Sequence, residues 1–470
     1  MNIVILGAGL GGLALASKLS KQPDYNITVV EKESIAGGMA RSFQHNGINL
    51  DLGSHRLHPS SPPDILEDIR SLIGSDLLLR PRNGLLCLRG KKVRFPLKPW
   101  DAFINLGPLF AGKLAWDMVT ASSRHVQHSD QEQNFKIVLE AALGPALCRT
   151  FYFPYARKLW GLPPEELSNV QARRRVSSTS LGQITRKMFR GLDSRSKSLY
   201  RYFYYPRKGF GQIAEGYVSR LRNQGVRFLF DHEVMGLIRK NGKIFDIELG
   251  SSEGEKRIPA DYVFSSLPVT DIIEMLEPAL PGEILDSAKS LVFRAMVLVY
   301  LELDVGRLTP WDAHYSPEPS VLFSRMSEPK NYSDTQSPRD RTIICLEVPC
   351  EVDDKSWNAN PVDLGLKVIE AFEELKIPTK SVLDTFVVQL RRAYPVYKIG
   401  FQRHLGTVLN SLDSIANFVS FGRQGLFWYA NAHHVIQASQ ELAGCFESGK
   451  LDQARWQEIR HRMNDITVAD

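Results

Sequence analysis

Asn2-Ile3-Val4-Ile5-Leu6-Gly7-Ala8-Gly9-Leu10-Gly11-Gly12-Leu13 opens the chain, and its reading decides the fold. Residues 2–6 predict a short buried strand closed by glycine. A helical run over residues 13–21 follows, and residues 26–30 predict a second strand that ends in Glu31. Strand, glycine turn, helix, strand and acid in this order make the dinucleotide fingerprint of a Rossmann-type α/β domain. Gly7 permits the tight turn, Gly9 lets the backbone approach a pyrophosphate, and Gly12 lets the helix lie close on the strands. Leu10 and Gly11 open the helix, whose free N–H groups and partial positive charge face the phosphates. Glu31 follows the glycines by about twenty residues, where a carboxylate accepts hydrogen bonds from the ribose hydroxyls of an adenosine.

Outward from that stretch, 470 residues with 43% hydrophobic content can bury a large core and exceed one compact domain. Two interleaved domains are expected. A formal charge of +6 suits an anionic substrate or a membrane surface, and no nucleic-acid motif occurs. Basic residues and tyrosines interleave over residues 177–208, which reads as the wall or lid of an anionic cleft, or as a solvated face. Cys87, Cys148, Cys345, Cys350 and Cys445 are scattered without a C-x-x-C pair and read as reduced thiols of a cytoplasmic protein. No basic n-region and apolar core precede the first strand, so no signal peptide is expected. No apolar run reaches the roughly eighteen residues of a spanning helix. His433 and His434 are adjacent, too close to share one metal from a helix face, so no metal is assigned.

Glu31-Lys32-Glu33-Ser34-Ile35-Ala36-Gly37-Gly38-Met39-Ala40-Arg41 resembles the extension of FAD enzymes in the amine-oxidase, protoporphyrinogen-oxidase and UDP-galactopyranose-mutase superfamily. The resemblance implies non-covalent FAD in a Rossmann-type domain of the two-dinucleotide-binding-domain kind, with an interleaved α+β substrate domain. NAD(P)H is then a candidate external reductant. Lys32, Gly38, Met39, Ala40 and Arg41 would carry the pyrophosphate site towards the flavin. Residues 42–52 alternate around Asn46-Gly47 like a hairpin and deliver Gly53-Ser54-His55. That tripeptide matches the family's Gly-Gly-His loop beside the flavin ring, which makes His55 both cofactor-facing and catalytic. Ser54 stands where the family has a second glycine, and its Cβ restricts the loop. Val234 would pair the adenine through its backbone. Gly422 and Arg423, then Asn431, His433 and Val435, match the closing flavin motif, in which a helix N-terminus stabilises charge on the reduced ring.

The same resemblance divides the chain into a discontinuous FAD-binding domain (1–80, 205–290 and 400–470) and a substrate domain (81–204 and 291–399, helical over 100–200). Phe151-Tyr152-Phe153-Pro154-Tyr155-Ala156-Arg157-Lys158-Leu159-Trp160-Gly161, followed by Arg173-Arg174-Arg175-Val176, is similar to the mutases. By that likeness Arg175 and Arg325 bind a diphosphate and rank with His55 as catalytic. Trp160, Tyr394 and Tyr429 then contact the substrate. A guanidinium suits a phosphate chemically. Arg173 and Arg174 read as a solvated charged turn. Residues 100–122 read as a core helix pair, with an amphipathic surface that touches a membrane as the alternative. A helix is expected over 59–73, and strands over 293–303, 320–325 and 342–348. The leading functional expectation is a mutase acting on a nucleotide sugar, in which reduced flavin N5 attacks the anomeric carbon without net redox change. The alternative is a net oxidase, dehydrogenase or desaturase on the same scaffold. A non-catalytic flavoprotein is a third class that no residue argues for. The oligomeric state is left open.

Overall fold

The computed structural model describes residues 1–88, 90–95, 104–105, 107–121, 134–175, 201–335, 337–466 and 468. Strand Asn2–Leu6 lies at the centre of a five-stranded parallel sheet ordered Phe418–Ser420, Tyr262–Ser265, Asn2–Leu6, Asn26–Val30, Arg227–Leu229. Ile3, Ile5 and Leu6 have no exposed surface, as a parallel sheet covered on both faces requires. Helix Leu10–Leu19 buries every residue except Lys18. It packs between helices Gln212–Asn223 and Ala432–Ala443. The close approach to the latter needs Gly11, where a Cβ would stand 3.0 Å from Val435. A four-stranded sheet of Gly254–Pro259, Lys243–Ser251, Glu233–Lys240 and Leu276–Glu277 adjoins this body through the core that joins Val4 and Leu6 to Leu237 and Ile247.

The second body is a seven-stranded mixed sheet ordered Val382–Pro395, Phe293–Leu303, Thr342–Cys350, Arg325–Ser327, Ala313–Tyr315, Gly84–Leu88, Lys91–Phe95. Helix Pro361–Glu374 lays Leu364, Val368 and Phe372 on one face against Leu301 and Leu346. On the other face lie hairpin Ser42–His45/Ile48–Asp51 and helices Phe135–Leu143 and Phe153–Trp160, with Leu50, Leu139 and Trp160 packed against Leu298 and Tyr300. The hairpin turns at Asn46 and Gly47 with φ of 47° and 78°, the pair of positive values that a two-residue turn between twisted strands demands. Strands Leu77–Pro81 and Tyr202–Pro206 pair where the chain passes from one body to the other.

The α/β class is as expected, and four local readings change. The first helix after the hairpin starts at Pro63, with Pro62 as its cap and proline at the first turn, rather than at residue 59. The strand expected over residues 320–325 starts only at Arg325, because the Lys158 ammonium takes the carbonyls of Ser316, Glu318, Val321 and Phe323 at 2.6–3.2 Å and wraps the preceding segment around itself. Helix Asn169–Arg175 replaces the charged turn, and Arg174 within it is 3% exposed. Its guanidinium donates to the Tyr397 hydroxyl and to the Tyr429 carbonyl, so it ties core elements together instead of facing water. Helix Pro108–Ala121, the described part of the expected core helix pair, leaves Leu109 and Trp116 in solvent.

Candidate active site

The carboxyl ends of three adjacent parallel strands bring the glycine turns together, the place where open α/β sheets bind ligands. Gly7 turns with φ +99°, and a Cβ there would meet Ser266 Oγ at 2.4 Å. Gly422, after the strand Phe418–Ser420, lies over the same serine, at 3.4 Å from its Cβ. Gly12 would drive a Cβ to 2.1 Å from the Gly7 carbonyl, which makes it a packing glycine. Gly9 differs: a Cβ there would meet nothing within 4 Å. Its missing side chain serves no contact inside the protein and leaves a cradle at the first turn of helix Leu10–Leu19. That helix start carries no side-chain cap and no acidic residue, so its N–H groups remain for a ligand. Gly37 and Gly38 dock on this turn through the bond from Gly37 N to the Ala8 carbonyl at 2.8 Å, and Ala40 is buried behind them. Arg41 pairs with Glu33 at 3.4 Å, and Lys32 is exposed. Met39 is half-buried beside them.

Glu31 is 8% exposed, and its oxygens accept the N–H groups of Ala8 (2.8 Å) and Glu33 (3.1 Å). Burial pushes its carboxyl above the usual range, opposed by those two N–H groups. Each oxygen keeps lone pairs for a ribose. Val234 is buried in strand Glu233–Lys240, pairs with Leu249 and precedes a break in register. Helix Ala432–Ala443 starts with a capping box: Asn431 accepts the His434 N–H, and His434 Nδ1 accepts from Asn431 N at 3.3 Å. His433, 6% exposed, has a buried Nδ1 with no hydrogen-bond partner. Burial, then the neighbouring His434 and His58, hold its ring down at about 3. Val435 packs on Gly11, and so shapes the helix contact.

Loop 53–56 is held by side chains from the other body. Glu347, in strand Thr342–Cys350, accepts the Ser54 N–H at 3.0 Å and the Arg325 guanidinium at 2.8–2.9 Å. Ser54 Oγ meets the Tyr332 hydroxyl at 2.6 Å. Arg56 reaches Tyr332 at 3.0 Å and the buried Asp312 at 3.2 Å, with its guanidinium over the Phe203 and Tyr332 rings. Asp51 anchors the loop from below, accepting from Ser42, the Tyr205 hydroxyl and Phe210 N. His55 stacks on Phe210 with centroids 5.3 Å apart. Its Nδ1 is buried without a hydrogen-bond partner, and burial, then Arg325 and Arg423, lower its ring to about 4. His55 is therefore neutral at pH 7.

Arg325, Arg423 and Tyr394 are half-buried around this ring. Arg423 donates to the carbonyls of Ala430 (2.8 Å) and Ala393 (2.9 Å) beneath the Tyr394 and Tyr429 rings. Those rings stand 5.8 Å apart, and Tyr429 is 4% exposed. The structure thus gathers His55, Arg325, Arg423, Tyr394 and Tyr429, and leaves Trp160 apart, edge-on to Phe135 in the core. Arg175 ends its helix, and its side chain lies outside the described residues. Glu347, Tyr332, Asp312 and Asp51 escaped the sequence reading. An acid inside the apolar run Ile343-Ile344-Cys345-Leu346-Glu347-Val348 is the one signal that could have found Glu347, since a buried carboxylate needs partners.

Residues 5–72 match the NAD(P)-binding Rossmann-like domain family. A phytoene desaturase of Neurospora crassa is 26% identical over 276 residues, 52% of this chain and 43% of that protein. A mitochondrial protoporphyrinogen oxidase of Nicotiana tabacum is 25% identical over 205 residues, 40% of this chain and 39% of that protein. The chain spans less than half the length of the curated relatives it matches. The crystal structure of a reduced UDP-galactopyranose mutase matches in fold with a TM-score of 0.80 at 21% identity, over 100% of this chain and 98% of that one. The chain has the fold of the FAD-dependent amine-oxidase-like superfamily.

Proposed function

We propose that the protein is a flavoenzyme that holds FAD non-covalently along the first glycine turn and presents a nucleotide sugar to it for mutase-type, pyranose–furanose chemistry. The observation that carries the reading is the convergence of two guanidiniums, Arg325 and Arg423, and the half-buried Tyr394 on a neutral His55. The residues present fit the cofactor. Gly9 and the uncapped helix start would take the pyrophosphate, Glu31 the ribose, and His433 with the remaining N–H groups of its helix the flavin end. FAD, when bound, supplies a two-electron centre whose reduced N5 is nucleophilic.

The chain's own residues do the rest. Glu347 aims Arg325 along the His55 loop, towards the Ser54 carbonyl 3.5 Å away, where a charge-assisted hydrogen bond to a phosphate oxygen can form. His55, neutral, offers a ring nitrogen without adding positive charge. Tyr394 and Tyr429 supply the aromatic and hydroxyl wall, and Arg175 would add a second phosphate contact. NAD(P)H as external reductant belongs to the same reading.

A second reading, a net oxidase, dehydrogenase or desaturase on a less charged substrate, is favoured by one observation. The Glu347 carboxylate already neutralises Arg325, which weakens the case for a dianionic ligand. The names of the curated relatives point the same way. Titration of UDP and dTDP into the oxidised and dithionite-reduced protein, followed by flavin absorbance and fluorescence, separates the two. Saturable binding that tightens on reduction supports the mutase reading; no response in either state favours the oxidoreductase.

A further inference from the structure

Helix Pro108–Ala121 carries the least expected surface of the molecule. Leu109 is 86% exposed and Trp116 is 69% exposed, and they lie two helical turns apart on one stripe. Ile104, just before the helix, is 60% exposed. An adjacent stripe, about a quarter turn round the helix, explains what it rests on. Phe110 is 8% exposed, and Asp117, also 8%, accepts Ala146 N at 2.7 Å while Gly144 packs on its carboxyl group. The helix is thus fixed to the protein by one face and offers the other to something else.

Charge says what that is. Lys113 lies exposed between Leu109 and Trp116 on the same face. Strand Lys91–Phe95 at the edge of the seven-stranded sheet adds exposed Lys91, which lies opposite Leu88 and so shares its face, whereas Arg94 lies opposite Leu85 on the other face. Its partner strand packs Leu86 and Leu88 against Leu147, in the short helix Pro145–Leu147 on which helix Pro108–Ala121 rests, so both lie on one side of the molecule. By sequence, residues 84–121 carry six bases and two acids, and of the two acids Asp117 is buried. An apolar stripe with tryptophan at its edge, flanked by the exposed Lys91 and Lys113, matches the chemistry of an anionic lipid surface: the leucine enters the acyl boundary, the indole sits at the headgroups, and lysines stay among the phosphates.

We propose that this face docks the protein on the surface of an anionic membrane, in a monotopic manner. None of the described helices is long and apolar enough to cross one. The proposal is independent of which substrate the flavin site accepts.

The test is sedimentation of the full-length protein with phosphatidylcholine vesicles, with and without phosphatidylglycerol. The expected result is pelleting with the anionic vesicles only, weakened by salt. The double variant L109S/W116S should lower the partition coefficient about tenfold, and K91E/K113E comparably. Quenching by brominated lipid, measured against W116F, should place Trp116 at headgroup depth, with stronger quenching by lipid brominated near the headgroup than near the chain end. If L109S/W116S fails to fold, the charge-reversed variant and the quenching decide alone. The proposal is overturned if the native protein stays in the supernatant with both vesicles, or if the variants pellet as well as it does. It is equally overturned if the native protein is a concentration-dependent dimer that L109S/W116S converts to monomers, because a second copy then covers the face.

Discussion

The glycine turn 7–12 and the loop 53–56 both belong to the proposed cofactor site, yet they are built on opposite principles. The turn is shaped by its own backbone: Gly12 fits because the Gly7 carbonyl leaves no room for a Cβ, and Gly7 because Ser266 leaves none. The loop is shaped by side chains from a different body, Glu347, Tyr332 and Asp312, each more than two hundred and fifty residues away along the chain. Backbone sterics tolerate no substitution at the packed position and are indifferent to charge. A polar network tolerates changes of shape but fails when one partner leaves another buried and unpaired.

The sharpest way to break this contrast is Gly12→Val. Overpacking against a backbone oxygen should cost at least about 3–4 kcal/mol in urea unfolding, or prevent accumulation altogether. A mild phenotype would mean that the turn is not sterically locked. Next comes Glu347→Ala, which strands the Arg325 guanidinium and should cost about 3 kcal/mol, with Glu347→Gln recovering part of it. Equal stability for all three proteins would show that the loop does not depend on the network. Acid should expose a further difference. His55, His433 and His314 are held near 4, 3 and 3, mainly by burial, while the unfolded chain protonates them near 6.5. The unfolded state therefore binds more protons as pH falls from 6.5 towards 4, and stability drops across that window. The loss is about 2 kcal/mol for each of the well-buried rings His433 and His314 between pH 6.5 and 5. A flat urea midpoint between pH 7 and 5 would contradict it. The smallest expected effect is the most diagnostic: Gly9→Ala, with open space at its Cβ, should change stability by less than about 0.5 kcal/mol while flavin retention falls. A yellow, fully loaded variant would remove the cradle from the cofactor site.

The contrast also explains what could be read without coordinates. Neighbouring residues announce the glycine turn, the Asn46-Gly47 hairpin and the strand Phe293–Leu303, because their physics is local: positive φ, close approach and a long apolar run; the strand is not half-buried, as its pattern suggests, but buried on both faces from Ala295 to Leu303. The same holds for the placing of His55 at the end of its hairpin. What stayed hidden depends on remote partners. Residues 320–325 look like a strand until the Lys158 ammonium claims their carbonyls. Arg174 looks solvated until Tyr397, more than two hundred residues later, offers its hydroxyl. Arg325 reads as a ready phosphate ligand until Glu347 is seen holding it. Strands Gly254–Pro259 and Val382–Pro395 went unread, their outer residues being too mixed to show a clean period; helix Phe401–Asp413 went unread although Phe401, Leu405, Val408, Leu409 and Leu412 recur at helical spacing.

The order of strands in the parallel sheet has a consequence for how the molecule comes into being. The edge strand Phe418–Ser420 pairs with Tyr262–Ser265, itself beside Asn2–Leu6. A ribosome adding about 5–20 residues per second leaves Tyr262–Ser265 waiting roughly 8–30 s for that partner. Until then Tyr262–Ser265 is the open apolar edge of the sheet, and a nascent fragment shorter than about 420 residues lacks the turn at Gly422. Were a cofactor bound as proposed, its capture would wait until nearly the whole polypeptide had been made.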